Sequence, residues 1–244
     1  MRAGIQLYTL RDVDESIIES IERVAGAGYE GVELAGFGEF EPAEVGEAID
    51  EAGLEALAAH VGVDQLEDAY DETVAQFQPV HCADLVIPSY DHDAFETGAA
   101  AREAGRHLAG LADQLAEDDI QLHYHNHTFE FTKTNGDTAF DQFAHVADGL
   151  GLEIDTGLAN NAGVDPVELI ETYGDRVRMI HLTDSERGVW EHRHMDIGEG
   201  DVDVPAVFDA GKAADVEWIV FEHGLSEDPA ASMEGAIEIM QEHL

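Results

Sequence analysis

Short apolar runs alternate along the chain with longer stretches in which apolar residues return every three or four positions. The short runs occupy 4–8, 31–35, 55–61, 85–88, 121–127, 152–155, 178–183 and 218–222. Their length and their flanking turn residues predict strands. Helical spacing fills the intervals at 15–27, 43–52, 65–78, 94–117, 138–148, 166–173, 204–214 and 229–242. Asp165 followed by Pro166 predicts an N-cap with proline in the first turn, and Gly28, Gly53, Gly149 and Gly174 stand where helices should stop. Strict alternation of strand and helix predicts a parallel sheet covered by helices. Eight such units in 244 residues is the count for a closed α/β barrel, a (β/α)8 TIM barrel, as a single domain spanning 1–244. No GxGxxG follows the first strand, so a dinucleotide-binding fold has no support.

A barrel directs attention to its strand ends, where inward side chains alternate and active sites form. The second strand carries Glu33 between Val32 and Leu34, and the third ends in His60. The fifth contains His123, His125 and His127 at period two; the sixth ends Glu153-Ile154-Asp155; the seventh carries His181 and the eighth Glu222. Any one of these has a plain structural explanation. Together they place Asp, Glu and His at the ends of successive strands, and such groups are rarely fully buried unless paired or metal-bound. A converging metal site accommodates them. Two imidazoles with two carboxylates suit one divalent ion of Mn, Co, Zn or Fe better than Mg. Which of the three fifth-strand histidines binds is open at this point, and one or two of them can equally hydrogen-bond to the ligands.

Composition adds one conspicuous feature. Eleven Lys and Arg stand against 54 Asp and Glu, a formal charge of −43, with acids spread over the polar faces of the helical segments. Self-repulsion of that size destabilises a compact state, and molar salt screens it. The composition is therefore that of a halophilic protein. It argues against nucleic-acid partners, which need Lys and Arg clusters. Hydrophobic residues make up 44% of the chain, enough for a sizeable core, and the single Cys82 excludes an internal disulfide or a Cys-rich zinc module. No apolar run approaches membrane-spanning length, so no membrane partner is expected, and the strand-like run from the N-terminus without a signal peptide predicts a cytoplasmic protein.

Several segments resemble the xylose isomerase-like (β/α)8 family, in its sugar phosphate isomerase/epimerase branch. They are Gly4 to Asp12, Gly28 to Leu34, Ile180 to Asp184 and Gly198 to Asp203, with Tyr124-His125-Asn126-His127-Thr128-Phe129-Glu130-Phe131 the most specific. The resemblance implies metal ligands from strands five to eight: His125, in place of the family's Glu, with Asp155, His181 and Glu222. It also implies a substrate-contacting segment at Arg193 and His194. Relatives often carry Lys where Thr183 stands and Asp where Gly224 stands, and His125 removes one member of the glutamate pair many epimerases use.

The expected activity is that of a divalent-metal-dependent isomerase or epimerase of a sugar, acting through an enediolate. Glu222 or Glu130 would be the catalytic carboxylate with His127 as partner, while Glu33 and His60 would hold substrate hydroxyls. The runner-up is a metal-dependent lyase or dehydratase acting on an inosose or 3-keto sugar. A sugar-binding module without catalysis is a third reading. An apurinic endonuclease is a fourth, and the charge opposes it. The partner is a small-molecule carbohydrate, with a homo-oligomer allowed.

Overall fold

The computed structural model describes residues 1–134 and 136–244. Eight parallel strands close into a barrel: Arg2–Gln6, Gly31–Leu34, Glu55–His60, Asp84–Ile87, Gln121–His125, Gly151–Asp155, Val177–Leu182 and Trp218–Phe221. Each pairs with its neighbours in sequence order, and the first closes on the last through Arg2 beside Trp218. Alternation sets what faces where. Val32, Leu34, Ile154, Ile180, Leu182, Ile219 and Phe221 join the main core between barrel and helices. A smaller cluster of Leu57, Ala58, Val86, Met179, Trp218 and Val220 is separate from it and fills the lower lumen. Gly4 and Gly31 leave room there. A Cβ on Gly4 would lie 2.4 Å from Leu57 Cδ2, and one on Gly31 2.8 Å from Trp218.

Local signals explain most helix boundaries. Asp165 accepts a hydrogen bond from Val167 N and Pro166 opens the helix Pro166–Tyr173. Gly28 and Gly53 are left-handed C-caps at φ +101° and +71°, a region that costs glycine little. Gly174 differs from expectation: it is right-handed and leads into the 3-10 turn Gly174–Arg176. The segment 65–78 divides into Val63–Asp68 and Tyr70–Phe77, because Ala69 at φ −144° leaves the helical region. The long helix is Gly98–Ala116, preceded by a 3-10 turn at His92–Phe95, and the helix expected over 138–148 is shortened to Ala139–Ala144. The fifth strand stops at His125, two residues early. There the Asn126 side chain takes over, accepting from Asp155 N at 3.0 Å and donating to Asp155 O at 3.3 Å. No helix among the described residues is long and apolar enough to cross a membrane.

Candidate metal centre

Parallel pairing brings the strand ends level. His125 lies beside Glu153, Asp155 beside His181, and His181 beside Val220, two residues before Glu222. His125, Asp155, His181 and Glu222 each present one donor atom, all within 4.8 Å of one another, and all four residues are buried. The short helix Thr156–Asn161, which the apolar pattern did not reveal, begins at Asp155. Asp155 Oδ1 caps it, accepting from Leu158 N at 2.6 Å and from Thr183 Oγ1 at 2.6 Å. Asp155 Oδ2 is thereby left buried without a partner, 4.0 Å from His125 Nε2. Burial raises the Asp155 carboxyl above its ordinary range.

The opposite nitrogens of the two imidazoles are held from below. His125 Nδ1 lies 3.0 Å from Glu153 Oε2. His181 Nε2 lies 2.6 Å from Glu33 Oε2 and 3.1 Å from Glu153 Oε1, while His181 Nδ1 lies 3.2 Å from Glu222 Oε2. A proton on His125 Nδ1 meets Glu153 Oε2 and one on His181 Nε2 meets Glu33 Oε2, so His125 Nε2 and His181 Nδ1 are the nitrogens that would ligate a cation once His181 gives up its second proton; Glu153 Oε1 is left without a hydrogen-bond partner. Two nitrogens and two carboxylates, one of them with an orphaned buried oxygen, fit a divalent ion. Burial opposes charge on His60, His181, Glu153 and Glu222, yet mutual attraction prevails there. Glu33 and Glu153 hold His60 at about 10 and keep His181 well above its ordinary value. The imidazoles in turn hold Glu153 and Glu222 well below the usual carboxylate range.

A cavity of about 760 Å³ opens above the four residues, lined by His60, His125, His127, Arg193, His194 and Glu222 among others. Two expected site residues lie elsewhere. Glu33 is fully buried beneath His60 and His181, with Oε1 3.2 Å from His60 Nε2, so it holds imidazoles and cannot reach a substrate hydroxyl directly. Glu130 is buried behind the cavity wall, where it accepts from Tyr124 Oη at 2.7 Å and His127 N at 2.9 Å. Those bonds anchor the loop after the fifth strand and withdraw Glu130 from any role as base. His123 lies low in the barrel, with Nε2 2.7 Å from Asp84 Oδ1. Glu153 was not singled out from the sequence. Its signal was the two-residue spacing from Asp155, which puts both on the lumen face of one strand.

The xylose isomerase-like TIM barrel family matches this chain over residues 21–243. An inosose dehydratase of Lacticaseibacillus casei is 22% identical over 254 aligned positions, which take in 87% of this chain and 83% of that protein. A sugar phosphate isomerase/epimerase from Parabacteroides distasonis superposes with a TM-score of 0.82 at 19% identity, covering 98% of this chain and 93% of its own. The IolI protein, solved with a zinc atom bound, superposes at 0.74 and 14% identity, covering 100% and 98%. At such identities the superpositions establish a common fold. The extent of the family match, on a closed eight-stranded barrel, makes this chain a member of the xylose isomerase-like TIM barrel family.

Proposed function

We propose that the protein is a divalent-metal-dependent sugar isomerase or epimerase. The observation that carries this reading is the convergence of four buried donors, His125, Asp155, His181 and Glu222, of which His125 and Glu222 line a cavity large enough for a sugar. A divalent ion held there would polarise a substrate carbonyl and stabilise the enediolate left when the neighbouring carbon loses its proton. Glu222 is the only carboxylate that both belongs to the donor set and lines the cavity, so it is the residue to move that proton. His127 and His194 present imidazoles to the same space and are placed to bind or relay at substrate oxygens. His60, anchored by Glu33 and Gln6, is placed to donate to a hydroxyl.

The inosose dehydratase relative favours a second reading, in which the same proton abstraction is followed by loss of a β-leaving group. The test is metal analysis combined with solvent-deuterium incorporation over a panel of keto sugars. One divalent ion per chain with deuterium in a rearranged sugar supports isomerisation. Release of water transfers the protein to the dehydratase class. Absence of metal binding together with absence of exchange sinks both.

The charge of −43 supports a companion proposal, that the fold is adapted to molar salt inside the cell. Thermal unfolding should then rise with KCl, by about 2–4 °C for each kcal/mol of repulsion screened. A midpoint that stays flat or falls between low and molar KCl refutes it.

A further inference from the structure

Three of the four large apolar side chains exposed among the described residues are gathered in one place. The four are Tyr8, Trp190, Leu225 and Leu244, at 46%, 56%, 43% and 43% exposed. The first three line the cavity above the candidate metal centre. Both rings are braced by arginine. Arg11 lies 4.0 Å over the Tyr8 ring and donates to Tyr8 O and Gly224 O. Arg193 lies 4.2 Å over the Trp190 ring and donates to Trp190 O at 3.0 Å. Two cation–π pairs thus flank the mouth, with their guanidinium groups fixed by backbone carbonyls and, for Arg11, also by Asp12 Oδ2 at 3.4 Å, so that Arg193 is the one without an acidic partner among the described residues.

The charge of this wall is opposite to that of the molecule. Asp and Glu supply 54 of 244 residues, yet Glu222 is the single acid among the twenty that line the cavity, where a proportional share would be about four. Two of the nine arginines are there. Size points the same way. A single sugar ring of about twelve heavy atoms, allowed the ~30 Å³ that a whole water occupies in the liquid for each, needs at most about 360 Å³. The cavity holds about 760 Å³.

We propose that the outer half of the cavity is a second subsite, built by Tyr8, Arg11, Trp190, Arg193 and Leu225, for a ring bearing an acidic group joined to the sugar that the donor cluster holds. This rests on the sugar-enzyme reading above and narrows its substrate to a two-ring, anionic conjugate. The aromatic faces and Leu225 cover the apolar face of the second ring. The arginines meet its acid.

The test is calorimetric binding of methyl, phenyl and 4-carboxyphenyl β-D-glucoside, in the lowest KCl that keeps the protein folded. Phenyl should bind roughly 3- to 10-fold more tightly than methyl, and the carboxylate should add about 2- to 5-fold. Trp190→Ala should erase the phenyl gain and Arg193→Gln the carboxylate gain alone. Trp190 is more than half exposed, so the variant should fold, and its thermal midpoint checks that. Equal binding of the three glucosides, or an equal loss on the methyl glucoside in Trp190→Ala, overturns the subsite. Mn²⁺ titration of the same samples separates the two claims. Metal binding beside a flat glucoside series rejects only the subsite, while a graded series without metal binding keeps the subsite and rejects the metal centre.

Discussion

In the lower lumen, Leu57, Ala58, Val86, Met179, Trp218 and Val220 pack against one another with almost no water contact. Two residues further along the seventh strand the inward position after Met179 is His181, and two beyond Val220 on the eighth it is Glu222. That step is roughly 6.6 Å along a strand. Over this distance the lumen passes from hydrocarbon to a layer of buried carboxylates and imidazoles. The lower half stabilises by removing apolar area from water, about 1.5–3 kcal/mol for each fully buried large side chain. The upper half loses solvation of several charges and keeps them only because each finds a partner, as Glu153 does in His125 and His181. Apolar packing is concentrated below and ionisable side chains above, on the same strands. The lower plug holds the strand ends at fixed spacing, which is what a metal site requires of its scaffold.

The largest expected effect lies in the upper half. Glu222→Gln, assayed at saturating metal with occupancy measured, should lose about 10²–10⁴-fold in kcat, the usual contribution of positioned proton transfer. Glu33→Gln should lose less, since Glu33 acts through His181 and His60 and does not face the cavity. Near-normal turnover in metal-loaded Glu222→Gln, beside an inactive Glu33→Gln, would put the acid–base chemistry on the wrong side of the barrel. The complementary change below is Met179→Ala. Its side chain is 2% exposed, and its loss should cost about 2–5 kcal/mol in urea unfolding while leaving metal affinity unchanged. A fall in metal affinity without a fall in stability would erase the division between the halves.

A third carboxylate tests why the upper layer needs its imidazoles. Glu130 is as buried as Glu153, but its partners are Tyr124 Oη and a backbone N–H. Burial raises it from 4.5 to about 7. The folded state therefore holds a proton that the unfolded chain has lost between these values. Its contribution is fully present below about 4.5 and declines as pH rises through 7, the reverse of a salt-bridged acid. Glu130→Gln keeps a group that accepts from His127 N and donates to Tyr124 Oη. The variant should match the wild type near pH 4.5 and exceed it at pH 8 by roughly 3 kcal/mol. Parallel stability curves for the two proteins would show that Glu130 is not a strained buried acid.

The barrel was legible because alternation of apolar strands with amphipathic helices carries the architecture. The candidate ligands were legible as residue types at strand ends. What the pattern left out depends on contacts across strands. Glu33 reads as a lumen residue, but only the height of His60 and His181 shows that both imidazoles roof it over. Glu130 sits in a segment rich in histidine, and only the turn after the fifth strand carries it behind the wall to Tyr124. The helix Thr156–Asn161 is too short for periodicity and is fixed by its cap on Asp155. Trp190 opens the 3-10 turn Trp190–His192 and Arg193 follows it, a stretch too short for any period to say that the ring will face the cavity.

Glu153 gives the smallest and most discriminating effect. It is fully buried, does not line the cavity and is not in the four-donor set that faces it, yet its two oxygens reach His125 Nδ1 at 3.0 Å and His181 Nε2 at 3.1 Å. A carboxylate there favours the His125 tautomer whose lone pair faces Asp155. An amide turned with its oxygen toward His181 presents N–H to His125 Nδ1, which must then turn its proton toward the metal position, while His181 Nε2 keeps Glu33 Oε2 as its acceptor at 2.6 Å. Glu153→Gln should therefore weaken divalent-metal affinity by about 10- to 100-fold, measured by competition with a chelator. Nitrogen chemical shifts of the metal-free protein should report a changed tautomer at His125. Glu153→Asp shortens the reach but keeps two acceptors, and should recover part of the affinity. A Glu153→Gln protein with unchanged metal affinity and unchanged imidazole shifts would mean that the upper layer is held by packing alone, as the lower one is, and that the pairing of its charges does not set the geometry of the donor cluster.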